Sequence, residues 1–182
     1  MSRFTLHTMD TAPKEAKRSL KGSLDAFGMI PNLHAVMAES PATLRAYQQL
    51  HRLVLESSFN DEEKTVVWQT INVEHGCTYC VPAHSAIARS MEVSPAIDNA
   101  LREREPLSNT KLEALRSFTL AVLRDRGRVT ATTIEAFIDA GYDNQQMLEV
   151  VLVLSQKVMS NYINHLAETP ADEAFSPFEW VG

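Results

Sequence analysis

Along most of this chain apolar residues return every three or four positions, and no stretch alternates apolar with polar residues between hairpin turn signals. The pattern predicts helices and no strands. From Lys14 to Phe27, Leu20, Leu24 and Phe27 share one face, with Pro13 suited to the start and Gly28 to the stop. A short helix follows Pro31. Pro41 opens a longer one on which Leu44, Tyr47, Leu50, Leu53 and Val54 form a stripe. Asn60 or Asp61 caps the next, which carries Asp61, Glu62 and Glu63 at the positive end of its dipole and runs to about His75. Gly76 ends it, and a new helix begins near Thr78 with Pro82 in its first turn. Ser94-Pro95 starts a helix to about Arg104, Ser108 caps one through Arg126, and Thr130 to Ala140 forms another. The last and longest, Asn144 to about Glu168, is apolar nearly all round between Met147 and Met159, as expected of a helix in the middle of an assembly.

These elements predict one all-α domain over residues 1–182, with an extended leader at 1–12 and an apolar tail at 170–182. Phe175, Phe178 and Trp180 in that tail bury well either on their own domain or on a neighbouring subunit. At 182 residues and 45% hydrophobic content the chain supports a single sizeable core, where Trp68 and the methionines are expected. His7, His34 and His51 read as surface or packing residues, and His165 as a hydrogen-bonded core histidine.

Composition narrows the function. A net charge of −6, with 17 Lys and Arg scattered along the chain, argues against a nucleic-acid partner. The longest apolar run, Val150 to Leu154, is too short to cross a bilayer, and the N-terminus lacks the apolar stretch of a secretory signal. A soluble, cytoplasmic protein is expected. In a reducing compartment a structural disulfide is improbable, so a lone Cys-x-x-Cys points to catalysis or metal binding.

That pair holds both cysteines of the chain, in Glu74-His75-Gly76-Cys77-Thr78-Tyr79-Cys80-Val81-Pro82-Ala83-His84. Its spacing lets the sulfurs close a small disulfide ring. Cys80 falls in the first turn of a helix, where free amide donors and the dipole favour a thiolate. His84 lies one turn on along the same face and is positioned to take the thiol proton. Cys80 is therefore expected to attack and Cys77 to resolve, condensing a sulfenic acid at Cys80 to a disulfide before further oxidation. If the two helices meet at only a slight kink, Glu74 faces the thiols and orients His84 or passes protons. The hydroxyl of Tyr79 either donates to a peroxide or anchors a wall of the pocket.

The stretch Glu-x-x-Cys-x-Tyr-Cys-x-x-x-His, with Ala140-Gly141-Tyr142 and Asn161-Tyr162-Ile163-Asn164 further on, resembles the alkylhydroperoxidase D and carboxymuconolactone decarboxylase-like superfamily, over about residues 41–168. The resemblance implies a multi-helix bundle, a homo-oligomer, and a cofactor-free peroxidase in which Cys80 attacks, Cys77 resolves and His84 matches the family histidine. It also implies a hydroperoxide substrate and a disulfide-exchange reductant, thioredoxin-like or dihydrolipoyl. Two positions depart from the family pattern: Tyr79 stands where the family has His, and Thr65 where it has Glu. Glu74, or failing it Glu63, is the expected substitute acid. Decarboxylase members lack the cysteine pair, so that activity fits poorly. The alternatives are a protein that senses oxidants without turnover, and a zinc site built from Cys77, Cys80 and His84 with Glu74 or His75.

Overall fold

A computed structural model describes residues 3–182, so the first two residues of the expected leader lie outside it. Among the described residues the regular structure is helical throughout. A 3-10 turn at Lys14–Ala16 leads into α1 (Lys17–Phe27), followed by α2 (Asn32–Met37), α3 (Pro41–Leu55), α4 (Asp61–Glu74) and α5 (Cys80–Ser90). Then come α6 (Pro95–Arg102), α7 (Thr110–Arg124), α8 (Ala131–Asp139), α9 (Asn144–Ala167) and a closing 3-10 segment, Glu173–Phe178.

The helix ends follow local chemistry. Asn60 and Glu63 form a capping box at the start of α4: Asn60 Oδ1 accepts from Glu63 N at 2.9 Å, and Asn60 N donates to Glu63 Oε2 at 3.0 Å. Asp143 and Gln146 do the same for α9. Asn109, not Ser108, caps α7, its Oδ1 accepting from the amides of Lys111 and Leu112.

At the other end of α4, Gly76 adopts φ +64°, a conformation that penalises any residue with a Cβ. The amide of Cys77 bonds back to Asn72 O at 3.0 Å, which closes a Schellman turn. The chain therefore turns sharply after α4, and α5 folds back to pack beside it. Cys77 lies in the turn, and Cys80 is the first residue of α5.

Helix α4 is the hub, packing against α5, α6, α7 and α9, and every residue from Thr65 to Val73 is buried. The main core gathers Trp68, Ile71, Leu115, Phe118, Phe137 and their neighbours. A second, smaller core lies between α1, α2, α3 and the start of α5, and it contains both cysteines. The leader runs along this second core, its His7 amide donating to Ala35 O at 3.3 Å.

The apolar tail docks on its own chain. Phe175 packs edge-on against Tyr79, Trp180 Nε1 donates to Arg102 O, and the Arg104 guanidinium sits over the Trp180 ring. Helix α9 buries one side only. Its opposite side presents Leu148, Val151, Tyr162 and Leu166 to the exterior, so the all-round apolar pattern corresponds to one face packed within the chain and one left open.

Candidate active site

The α4–α5 turn brings the two thiols together. Both are free and buried, Cys77 at 0% and Cys80 at 1% exposure. Cys77 Sγ accepts the amide of Cys80 at 3.2 Å, and the two thiols hydrogen-bond each other. The polar face of α9 closes over the pair. Asn164 Nδ2 donates to Cys80 Sγ at 3.1 Å, and Asn161 braces the neighbouring Asn72, its Nδ2 donating to Asn72 Oδ1 at 3.0 Å. His75 Nδ1 donates in turn to Asn161 Oδ1 at 2.7 Å.

Lys157 is the charged group of this site. It is 1% exposed, and among the described residues no carboxylate pairs with it. Its Nζ lies 2.8 Å from His84 Nε2. A buried ammonium without a counter-charge costs several kcal/mol. Burial pushes the Lys157 ammonium below the usual lysine range, and the negative charge on Cys80, then that on Cys77, opposes that shift; Lys157 in turn favours the thiolate of Cys80. For Cys80, burial is the largest effect and acts upward. The hydrogen bond from Cys77, the Lys157 charge and the amides of Asn164 and Asn161 overcome it and bring the thiol down to about 6. Cys77 moves the other way: its hydrogen bond to Cys80, then burial, then the neighbouring negative sulfur hold it well above the ordinary thiol range. One sulfur is a thiolate at neutral pH and the other keeps its proton.

Two expectations from the sequence are corrected here. His84 stands one turn from Cys80 but bonds to Lys157 instead, and burial, followed by the charges of Lys157 and His51, keeps its imidazole neutral. With Lys157 donating to Nε2, the imidazole proton sits on Nδ1, which is buried and has no hydrogen-bond partner among the described residues. The charge that stabilises Cys80 is therefore the lysine. Glu74 is given to Arg124 in a two-bond pair of 2.7 and 2.8 Å on the side of α4 that faces α7. The slight kink that would have turned Glu74 toward the thiols is replaced by the Gly76 reversal. Glu63 is occupied by its capping box and by Lys111 at 3.2 Å, eleven residues and thus about 16 Å up the helix from Glu74.

The same arrangement of helices occurs in solved structures. An uncharacterized peroxidase-related protein from Ralstonia eutropha JMP134, described as an alkylhydroperoxidase D core, matches with a TM-score of 0.84 at 20% identity, over 96% of this chain and 94% of that one. The fold is the alkylhydroperoxidase D fold. A peroxidase-related protein from Silicibacter sp. TM1040 matches with a TM-score of 0.79 at 18% identity, over 95% and 94% of the two chains. The debrominase Bmp8, as a cysteine-to-alanine variant in complex with 2,3,4-tribromopyrrole, matches at 0.80 and 17% over 97% of both. No protein-family model and no curated protein matches the sequence.

Within this alkylhydroperoxidase D fold, Cys80, His84 and Lys157 line a cavity of about 240 Å³ whose other walls are largely apolar, among them Leu33, Ile87 and Phe175. His34 and His51 also wall it, and burial holds each near 4, so both are neutral there. Trp68 lies behind His84, 4.9 Å between ring centres, and is a core residue. Tyr79 is an anchor: its hydroxyl donates to Asp172 Oδ2 at 2.6 Å and accepts the Leu33 amide at 3.2 Å, which ties the tail segment bearing Phe175 across the cavity. The zinc donor set is not assembled, since Glu74, His75 and His84 are engaged elsewhere, and no cluster of three such ligands exists among the described residues.

Sequence reasoning missed Lys157 and assigned no role to Asn161 or Asn164. The signal was present: Gln156, Lys157, Ser160, Asn161 and Asn164 recur at helical spacing, turning the buried stripe of α9 polar where it crosses the cysteines. A lysine inside an otherwise apolar helical stretch marks such a site.

Proposed function

We propose that this protein is a thiol peroxidase that reduces organic hydroperoxides through a Cys77–Cys80 dithiol/disulfide cycle. The observation that carries this reading is a buried Cys80 that lines a largely apolar cavity together with Lys157, accepts the Asn164 amide at 3.1 Å and stands beside a second free thiol, with Lys157 favouring its ionised form. Cys80 thiolate attacks the outer peroxide oxygen, the O–O bond breaks, and the alcohol leaves with a proton from the Lys157–His84 pair. Cys77 then attacks the sulfenic sulfur of Cys80, forming the disulfide and releasing water. One hydroperoxide and two thiols thus give one alcohol, one water and one disulfide. A thiol donor restores the pair by disulfide exchange, in the reducing cytoplasm that the free cysteines suit. Catalytic roles fall to Cys80 and Cys77, with His84 serving in proton transfer; Glu74 has no part.

The protein works as a homo-oligomer on this reading, with the open apolar face of α9 as the natural contact. No helix among the described residues is long and apolar enough to cross a membrane.

Steady-state kinetics with cumene hydroperoxide and dithiothreitol test the proposal. Many turnovers per protein are expected. Arrest after one equivalent would instead mark a sensor. Because a debrominase shares the fold, 2,3,4-tribromopyrrole is the control substrate: two thiols would reduce its carbon–bromine bond to carbon–hydrogen with release of bromide. Preferential turnover of that compound would overturn the peroxide assignment.

A further inference from the structure

The two buried cysteines line different hollows of the protein. Cys80 lines the apolar cavity, whereas Cys77 is absent from it and forms the floor of a separate depression of about 430 Å³. Tyr79 lines both spaces and divides them, fixed in place by Asp172 and the Leu33 amide. The depression has a mixed lining, with the polar residues Asn164, His165, Glu168 and Thr169 around it. Two of the residues that line it, Asn164 and Thr169, carry buried oxygens, Oδ1 and Oγ1, with no hydrogen-bond partner among the described residues. Buried acceptors are left unpaired at a cost of about 1–3 kcal/mol each unless something else pairs with them.

We propose that this depression is the entry for the electron donor: a slender aliphatic thiol reaches Cys77 there, while the hydroperoxide reaches Cys80 through the apolar cavity. The inference rests on the peroxidase reading for the oxidant and on geometry alone for the donor.

Exchange chemistry favours the same direction of attack. The incoming thiolate forms a bond to Cys77 Sγ, the S–S bond breaks, and Cys80 leaves as a thiolate. A second donor thiol then attacks the donor's sulfur in the mixed disulfide, releasing the Cys77 thiol and the oxidised donor. Exchange is faster when the departing thiol is the more acidic one, and Cys80 is that thiol. Asn164 and Thr169, whose buried oxygens lack partners, stand in the wall that the donor's polar arm would meet. His165, kept neutral by burial and then by the field of His75, is a base at the rim. Cys77 is wholly buried, so a narrow arm fits and a flat protein surface does not.

The test separates the two half-reactions. The disulfide is formed with diamide, so that no peroxidase activity is needed, and its reduction by 2-mercaptoethanol is followed by quenching and alkylation. Peptide mapping is expected to find the mixed disulfide on Cys77 with Cys80 alkylated. H165W, at the exposed rim of the depression, should slow this reduction at least tenfold. M29W, which narrows the apolar cavity, should instead slow loss of thiols to cumene hydroperoxide at least tenfold, each variant losing more in its own half-reaction than in the other. In the unmodified protein Glu168 at the rim should make cysteamine faster, per thiolate, than 2-mercaptoethanesulfonate, with the difference shrinking at high salt. An adduct on Cys80, or equal slowing of both half-reactions by one variant, would overturn the separate entries. Failure of the protein to react with hydroperoxide would sink the peroxidase reading and leave the donor route to be decided by the diamide arm.

Discussion

Cys80→Ser is expected to lower hydroperoxide turnover by roughly three orders of magnitude or more, since a serine hydroxyl is not ionised at neutral pH and is a far weaker nucleophile. The fold should survive, because serine is close in size and retains a partner in Asn164. Cys77→Ser should behave differently. It leaves the thiolate and its lysine in place, so Cys80 still reacts once, but no sulfur stands ready to condense with the sulfenic acid. Dimedone labelling should find one sulfenic acid per chain after one equivalent of hydroperoxide, and further peroxide should drive Cys80 to the sulfinic state. Equal, undiminished turnover in both variants would exclude this cysteine pair from the chemistry. Equal loss with no sulfenic acid in the Cys77 variant would mean that Cys77 attacks.

The second large effect is expected at Lys157. With its thiol brought down to about 6, Cys80 is held mainly as the thiolate at pH 7. Removing the lysine charge in Lys157→Met takes away a force that favours the ionised form, while burial, which opposes it, remains. The midpoint of the pH profile for Cys80 alkylation should rise by at least about one unit, which is about tenfold less thiolate at pH values well below the original midpoint. The loss should close at pH values well above the new midpoint, where both proteins are fully ionised at Cys80. Lys157→Met should not unfold the protein: methionine fills the path of the lysine stem, and an ammonium that had to be buried is gone. The variant therefore separates charge from packing. An unshifted midpoint would transfer the role to the hydrogen bonds from Cys77, Asn164 and Asn161.

The parts of this site that were legible in the sequence are those fixed by local geometry. Gly76 and Pro82 bracket the α4–α5 turn, and Cys80 lands in a first helical turn because proline tolerates that place and the glycine does not continue the helix before it. The capped helix starts at Asn60 and near Asn144 were legible for the same reason. Glu74 was misread because its direction depends on how sharply the chain turns after it, and a terminating glycine signals a stop without stating the angle. His84 was read as a base from its spacing to Cys80, but spacing does not tell that a lysine 73 residues on competes for its ring nitrogen. Lys157 itself was hidden by averaging. Counted with its apolar neighbours it left α9 looking uniformly hydrophobic, whereas the folded helix has an inner face that is apolar at Val150 and Val153 and polar from Gln156 to Asn164. The tail's burial followed from its aromatic content; that it latches to Tyr79, the residue between the cysteines, depends on the contact with Asp172 and could not be read from either segment alone.

The most direct test of the dithiol cycle is a single-turnover thiol count. Fully reduced protein is mixed with one equivalent of cumene hydroperoxide, quenched with N-ethylmaleimide, and examined by intact mass and peptide mapping. The expected result is one equivalent of alcohol, no alkylated cysteine, and a disulfide joining Cys77 to Cys80. Two alkylated cysteines with the hydroperoxide intact would contradict the account.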